Sequence, residues 1–80
     1  MRYSVFLEPV RDPGFEGYYY AHIATLDLTT HGVGVEGALA AARELAEAWL
    51  AEKRTHGEPL PTESTVLLGH IDLSDAVLAP

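Results

Sequence analysis

Between Val35 and Leu50 the apolar residues fall at Val35, Ala38, Leu39, Ala42, Leu45, Ala46, Trp49 and Leu50. Steps of three and four residues place them on one stripe of an α-helix and on no single face of a strand. Arg43, Glu44, Glu47 and Glu52 fall on the opposite face. Lys53, Arg54 and His56 follow in the last turn, where positive charge suits the carbonyl end of the helix dipole. Gly57 is placed to take a left-handed cap, and Pro59 and Pro61 block continuation. The spacing therefore predicts a helix over about 35–55. A chain of 80 residues has room for one such helix and a small sheet beneath it, and for one domain.

The start of this helix breaks the usual pattern. Gly32, Gly34 and Gly37 stand where Ser, Thr or Asp would be favoured. Gly34 as N-cap is only slightly weaker than Ser, whereas Gly37 in the first turn costs about 1 kcal/mol against Ala. Gly32 is read as a turn residue that needs a positive φ. The compensation is expected from the apolar stripe: Leu39, Leu45, Trp49 and Leu50 would each contribute about 1.5–3 kcal/mol on full burial. Trp49, the largest of these side chains, is the expected centre of the core.

Tyr3 to Glu8 is β-prone, with Tyr3, Val5 and Leu7 on one face, and Pro9 ends it. Arg11-Asp12-Pro13-Gly14 reads as a turn, and Gly17 closes the loop. Tyr18 to Leu26 is the strongest strand signal, with Tyr18, Tyr20 and His22 on one face and Tyr19, Ala21 and Ile23 on the other. The two runs make an antiparallel hairpin. Leu28 to His31 is a short third strand or an extended connection. Thr65 to Leu73 (TVLLGHIDL) reads as a last strand, with Gly69 at a bulge. Ser74 to Pro80 reads as a tail, with Ser74-Asp75 able to cap a half-turn, and is expected to fray or to pack on a neighbouring subunit. The order β-β-β-α-β implies an α+β fold: a small antiparallel sheet with one long helix packed on one face.

Composition narrows the function. An apolar fraction of 48% fits a globular chain. The formal charge of −7, from twelve acidic and five basic side chains, argues against direct nucleic-acid binding and favours a basic partner. No cysteine is present, so thiol and disulfide chemistry are excluded. No apolar window approaches the roughly 20 residues of a membrane span, and the N-terminal apolar run is too short for a signal peptide, so a cytoplasmic protein is expected.

Four groups invite chemistry, and each has a plainer reading. The four histidines, His22, His31, His56 and His70, show no HxH, HxxxH or HExxH spacing, so no metal is expected. GVGVEG lacks the spacing and the lysine of a phosphate loop. Tyr18, Tyr19 and Tyr20 have no interleaved basic residues for base stacking, and read as sheet packing or an oligomer interface. Asp27, Asp72 and Asp75 fall at predicted strand ends, where solvated carboxylates are common. No enzyme activity and no cofactor are expected.

Taken together, Glu8-Pro9, Tyr18 to Ile23, Thr30-His31-Gly32, Glu36-Gly37-Ala38-Leu39, Ala42, Glu44-Leu45-Ala46, Trp49-Leu50 and His56-Gly57-Glu58-Pro59-Leu60-Pro61 resemble the HicB-like antitoxin domain over nearly the whole chain. The resemblance implies a partial RNase H-like fold over a single 1–80 domain, which is expected to lack the DNA-binding extension found on full-length antitoxins of this type. It also implies a HicA-like toxin as partner, a small basic protein that cleaves messenger RNA and is neutralised by protein–protein binding. Two departures stand out. The family's PDLPG-like turn is replaced by Ile23-Ala24-Thr25-Leu26-Asp27, and its capping box by Val33, Gly34 and Gly37. The partner-binding residues expected on the acidic helix face are Glu44, Glu47 and Glu52. This reading includes an orphan relative that keeps the fold but has no cognate toxin; the alternative is a self-assembling structural or ligand-binding module without a toxin partner, and a homo-oligomer, dimer or tetramer, is expected.

Overall fold

The structure, a computed structural model, describes residues 1–78. Its elements run β1 (Phe6–Pro9), β2 (Tyr18–Ile23), a 3₁₀ turn (Ala24–Leu26), β3 (Leu28–Val33), α1 (Gly34–Thr55) and a last short helix, α2 (Asp75–Leu78). The strands form one antiparallel sheet in the order β1-β2-β3. The fold is α+β, with α1 laid across one face of the sheet.

The hairpin between β1 and β2 turns at Asp12-Pro13-Gly14-Phe15, where the Phe15 N–H donates to the Asp12 carbonyl at 3.2 Å. Pro13 presets the first central dihedral and Gly14, at φ +91°, supplies the positive second one. Between β2 and β3 the chain reverses through the 3₁₀ turn, and Asp27 takes the left-handed conformation at φ +54°. Aspartate is one of the few non-glycine residues that tolerates this left-handed position. Across the sheet Phe6 pairs with His22 and His22 with Thr29, while Ala21 pairs with Leu7 and Thr30.

The core is built of small side chains. Its buried members are Ala21, Ile23, Leu26, Ala38, Ala42 and Ala46, with Tyr3, Val5, Leu7, Tyr19, Leu28, Trp49 and Leu50 packed around them half-buried. Ala38, Ala42 and Ala46 repeat every four residues, so one narrow stripe of α1 meets β2 and β3. Trp49 therefore does not form the centre expected of it. It lies half-buried at the end of the seam, with the Lys53 ammonium 4.7 Å from its ring centroid. None of the four large residues expected to anchor the helix is fully buried, and Leu39 is 40% exposed. A seam of alanines lets the helix backbone approach the sheet more closely than a seam of Leu and Trp would permit.

The glycines at the helix start explain how close that approach is. A Cβ on Gly32 would lie 2.5 Å from the carbonyl carbon and oxygen of Gly37 and 2.7 Å from the nitrogen of Ala38. The end of β3 thus touches the first turn of α1 backbone to backbone. Gly34, at φ +69°, makes the corner between them, and its N–H donates to the Gly17 carbonyl at 2.7 Å. The positive φ expected at Gly32 is at Gly34 instead, which is the first residue of the helix, Val33 being the N-cap. Gly32 is needed for close approach rather than for its dihedral. At the other end Gly57, at φ +69°, sits in a Schellman arrangement: its N–H reaches the Arg54 carbonyl at 3.0 Å and the Glu58 N–H reaches that of Lys53 at 3.0 Å.

The expected last strand does not form. Residues 65–73 belong to no sheet and are exposed throughout. Leu67, Leu68 and Ile71 are 86%, 74% and 84% exposed. β-propensity describes the fit of a side chain to a pleated, half-covered surface, and this segment has no such surface beneath it. Gly69, expected at a bulge, lies in open space. The radius of gyration is 16.2 Å, well above the ~12 Å of a compact chain this long. The molecule measures 52 × 31 × 19 Å, in keeping with an outstretched segment.

Candidate binding surface

Helix α1 turns its unpacked face outward, and Glu36, Glu44, Glu47 and Glu52 on it are all exposed. At about 100° per residue, Glu44 and Glu47 lie about 60° apart around the axis, whereas Glu52 lies about 140° from Glu47. Glu44 and Glu47 thus neighbour each other within one turn, whereas Glu52, about 80° from Glu44, lies about two turns further along the helix. Glu52 turns instead to the helix end, its carboxylate 3.5 Å from His56 Nδ1, which also lies 2.8 Å from the Glu52 carbonyl. Lys53 pairs with Glu58 at 3.2 Å across the helix end.

Glu47 and Arg43 also border a cleft of about 550 Å³ between α1 and the N-terminal residues, whose apolar wall includes Tyr3, Val5, Ile23 and Leu50. Of the acidic residues Glu47 alone borders this cleft, beside Arg2 and Arg43, and the apolar floor offers an anchor.

The opposite side is the open face of the sheet. Tyr18, Tyr20 and His22 line it, as the alternation along β2 requires, while Tyr19 turns toward the helix. Phe15 stands edge-on to Tyr18 with centroids 5.5 Å apart, and Tyr18 lies 6.0 Å from the His31 ring. A groove of about 510 Å³ runs between β1, β2 and β3, lined by Phe6, Leu7, Glu8, Tyr20, His22 and Thr29. Among the described residues no helix covers this face.

A cluster with no signal in the sequence sits where the chain returns from the helix. Both oxygens of Glu63 accept the Ser4 N–H, at 2.8 and 2.9 Å. Oε2 also accepts the Ser4 hydroxyl at 2.8 Å and Oε1 the Thr25 hydroxyl at 2.9 Å. The backbone and hydroxyl bonds from Ser4, with that from Thr25, hold the half-buried carboxyl below its ordinary pKa, more than offsetting desolvation. Next to it the Tyr3 hydroxyl donates to the Pro61 carbonyl. Glu63 thereby staples residues 61–63 to the lead-in of β1 and to the turn after β2. Acidic residues in loops are commonplace, so composition and periodicity give no reason to single this one out.

The other groups considered from the sequence stand apart. His22 Nδ1 bonds the Thr29 hydroxyl at 2.6 Å, and His70 lies on the unpaired segment, so no strand pairing brings them together. Asp27 ends a turn, Asp72 is exposed on the unpaired segment and Asp75 begins α2. Among the described residues no group of three His, Asp or Glu is arranged to hold a metal ion. The Gly34 N–H, one of the donors that a helix start would offer a phosphate, is taken by Gly17. Among the described residues no helix is long and apolar enough to cross a membrane.

No protein-family model matches this chain, nor does any curated protein or solved structure.

Proposed function

We propose that this protein is a binding module of the HicB-like antitoxin type, which neutralises a HicA-like RNA-cleaving toxin by covering its basic RNA site. One observation carries the reading: an exposed acidic helix face on which Glu44 and Glu47 lie side by side, Glu47 bordering a cleft with an apolar floor, on a chain of net charge −7. A surface that binds RNA is positive, and an acidic blocker competes for the same charges. Three antiparallel strands followed by one long helix agree with the start of the element order that the resemblance implies. The partial RNase H-like architecture remains part of the proposal.

The test is co-expression with a small basic HicA-like protein encoded beside this chain. Rescue of growth and a stable complex are expected. Glu44→Lys with Glu47→Lys should weaken the complex at least tenfold, about 1.4 kcal/mol. Failure of the wild-type chain both to bind such a protein and to rescue growth would overturn the reading.

The second reading is a self-assembling module. The uncovered aromatic face of the sheet and the exposed apolar run at 65–73 favour it.

A further inference from the structure

We propose that residues 65–73 form an exchange arm, which docks on the sheet of a second copy of this chain while the partner's arm docks reciprocally on this one. The inference rests on the self-assembly reading and not on a toxin. It joins two surfaces that each lack a neighbour among the described residues. The first is the arm, whose Leu67, Ile71 and Leu73 share one side in an extended conformation and are 86%, 84% and 59% exposed. The second is the outer edge of β1, which pairs with β2 alone, together with the apolar groove beside it at Phe6, Leu7 and Tyr20. An open strand edge beside apolar side chains is a template for an added strand.

The root of the arm fixes which edge is used. Glu63 is bonded to Ser4, two residues before β1 begins, and to Thr25 in the turn after β2, so the arm departs from the end of the sheet where β1 begins. A two-fold axis near that point brings each arm root beside the partner's β1. Nine extended residues span about 30 Å, enough to cross the axis and run the length of the edge. The Val10 N–H donates to the Tyr18 carbonyl, and in that register Phe6 and Glu8 turn their backbone groups to β2; Pro9 has no N–H, so within β1 Leu7 alone offers both an outward N–H and C=O, and the contact is chiefly side-chain packing. The need for such an interface follows from the core. None of its side chains is both large and fully buried, and chains this small commonly gain stability by association.

The experiment is sedimentation equilibrium on the intact chain, alongside Leu67→Asp combined with Ile71→Asp. These side chains touch no core residue, so the variant should keep its helical circular dichroism. The wild type is expected at twice the 8.7 kDa chain mass at micromolar concentration, and the variant's dimer dissociation constant should rise at least tenfold. In a dimer mixed from isotope-labelled and unlabelled chains, intermolecular NOEs should link the Leu67 and Ile71 methyls to the Phe6 and Tyr20 rings. A strictly monomeric wild type overturns both arm exchange and self-assembly. A dimer that the double substitution leaves unchanged, or one whose arm NOEs are all intramolecular, overturns arm exchange alone.

Discussion

Gly32 and Gly37 meet backbone to backbone: a Cβ on Gly32 would sit 2.5 Å from the Gly37 carbonyl, whereas a Cβ on Gly37 would have nothing nearer than 3.6 Å. Two glycines five residues apart therefore serve unequal purposes. Gly32→Ala must push the helix start off the sheet and should destabilise the protein by about 1–3 kcal/mol. Gly37→Ala fits in ordinary contact, gains helix propensity, and should stabilise by about 0.5–1 kcal/mol. Urea denaturation of the two variants checks this, and equal effects of the same sign would contradict it.

Gly34 presents a different constraint. Its φ of +69° is the conformation that a side chain disfavours, although a Cβ there would meet open space. Gly34→Ala should cost about 1–2 kcal/mol through backbone strain alone. The same denaturation series reads it, and a neutral result would show that the corner rearranges.

Trp49 and Ala42 reverse the order that side-chain size suggests. Trp49 is half-buried beside Lys53, so Trp49→Ala should cost about 1–2 kcal/mol, below the 3–5 of a fully buried aromatic. Ala42 is 2% exposed in the seam, so Ala42→Leu should overpack it and cost about 1–3 kcal/mol. Thermal melts of both variants test the alanine seam. It fails if Ala42→Leu is tolerated while Trp49→Ala unfolds the chain.

The Glu63 staple predicts a pH dependence. Its carboxyl has a lower pKa folded than unfolded, because Ser4 and Thr25 donate to the charged form. The unfolded state therefore binds the proton first as pH falls. The stabilisation is complete above the unfolded-state pKa and is lost as pH drops through the folded-state value. Wild type should lose stability across that acidic window more steeply than Glu63→Gln, and the two should run parallel at neutral pH. Ser4→Ala should raise the Glu63 pKa in an NMR titration. Parallel curves throughout the acid range would contradict the staple.

What could be read from residues alone follows from how local each signal is. The stripe from Val35 to Leu50 placed the helix within a residue of its observed span, Gly34–Thr55, and Gly57 marked its end, because periodicity and caps are properties of adjacent residues. The alternation of Tyr18 to Ile23 gave the correct faces of β2 for the same reason. Thr65–Leu73 has equal β-propensity but no strand beside it, and a partner is not written into propensity. Trp49 misled because size predicts how much area a side chain can bury, not how near two backbones lie. That distance is set by Gly32 and the alanines. Of the acidic face, the exposure of Glu44 and Glu47 was legible from helical geometry, and the turn of Glu52 toward His56 was not. Glu63 was invisible because its partners, Ser4 and Thr25, are 59 and 38 residues away.

The helix–sheet seam positions everything else, and a nuclear Overhauser contact between the Gly32 Hα and the Ala38 amide proton measures it directly. A strong cross-peak is expected, because the space a Gly32 side chain would fill lies 2.7 Å from the Ala38 nitrogen. Its absence, in a sample whose α1 amides show helical connectivities, would mean that the helix does not rest on β3 and would contradict the architecture from which the acidic face and the arm are derived.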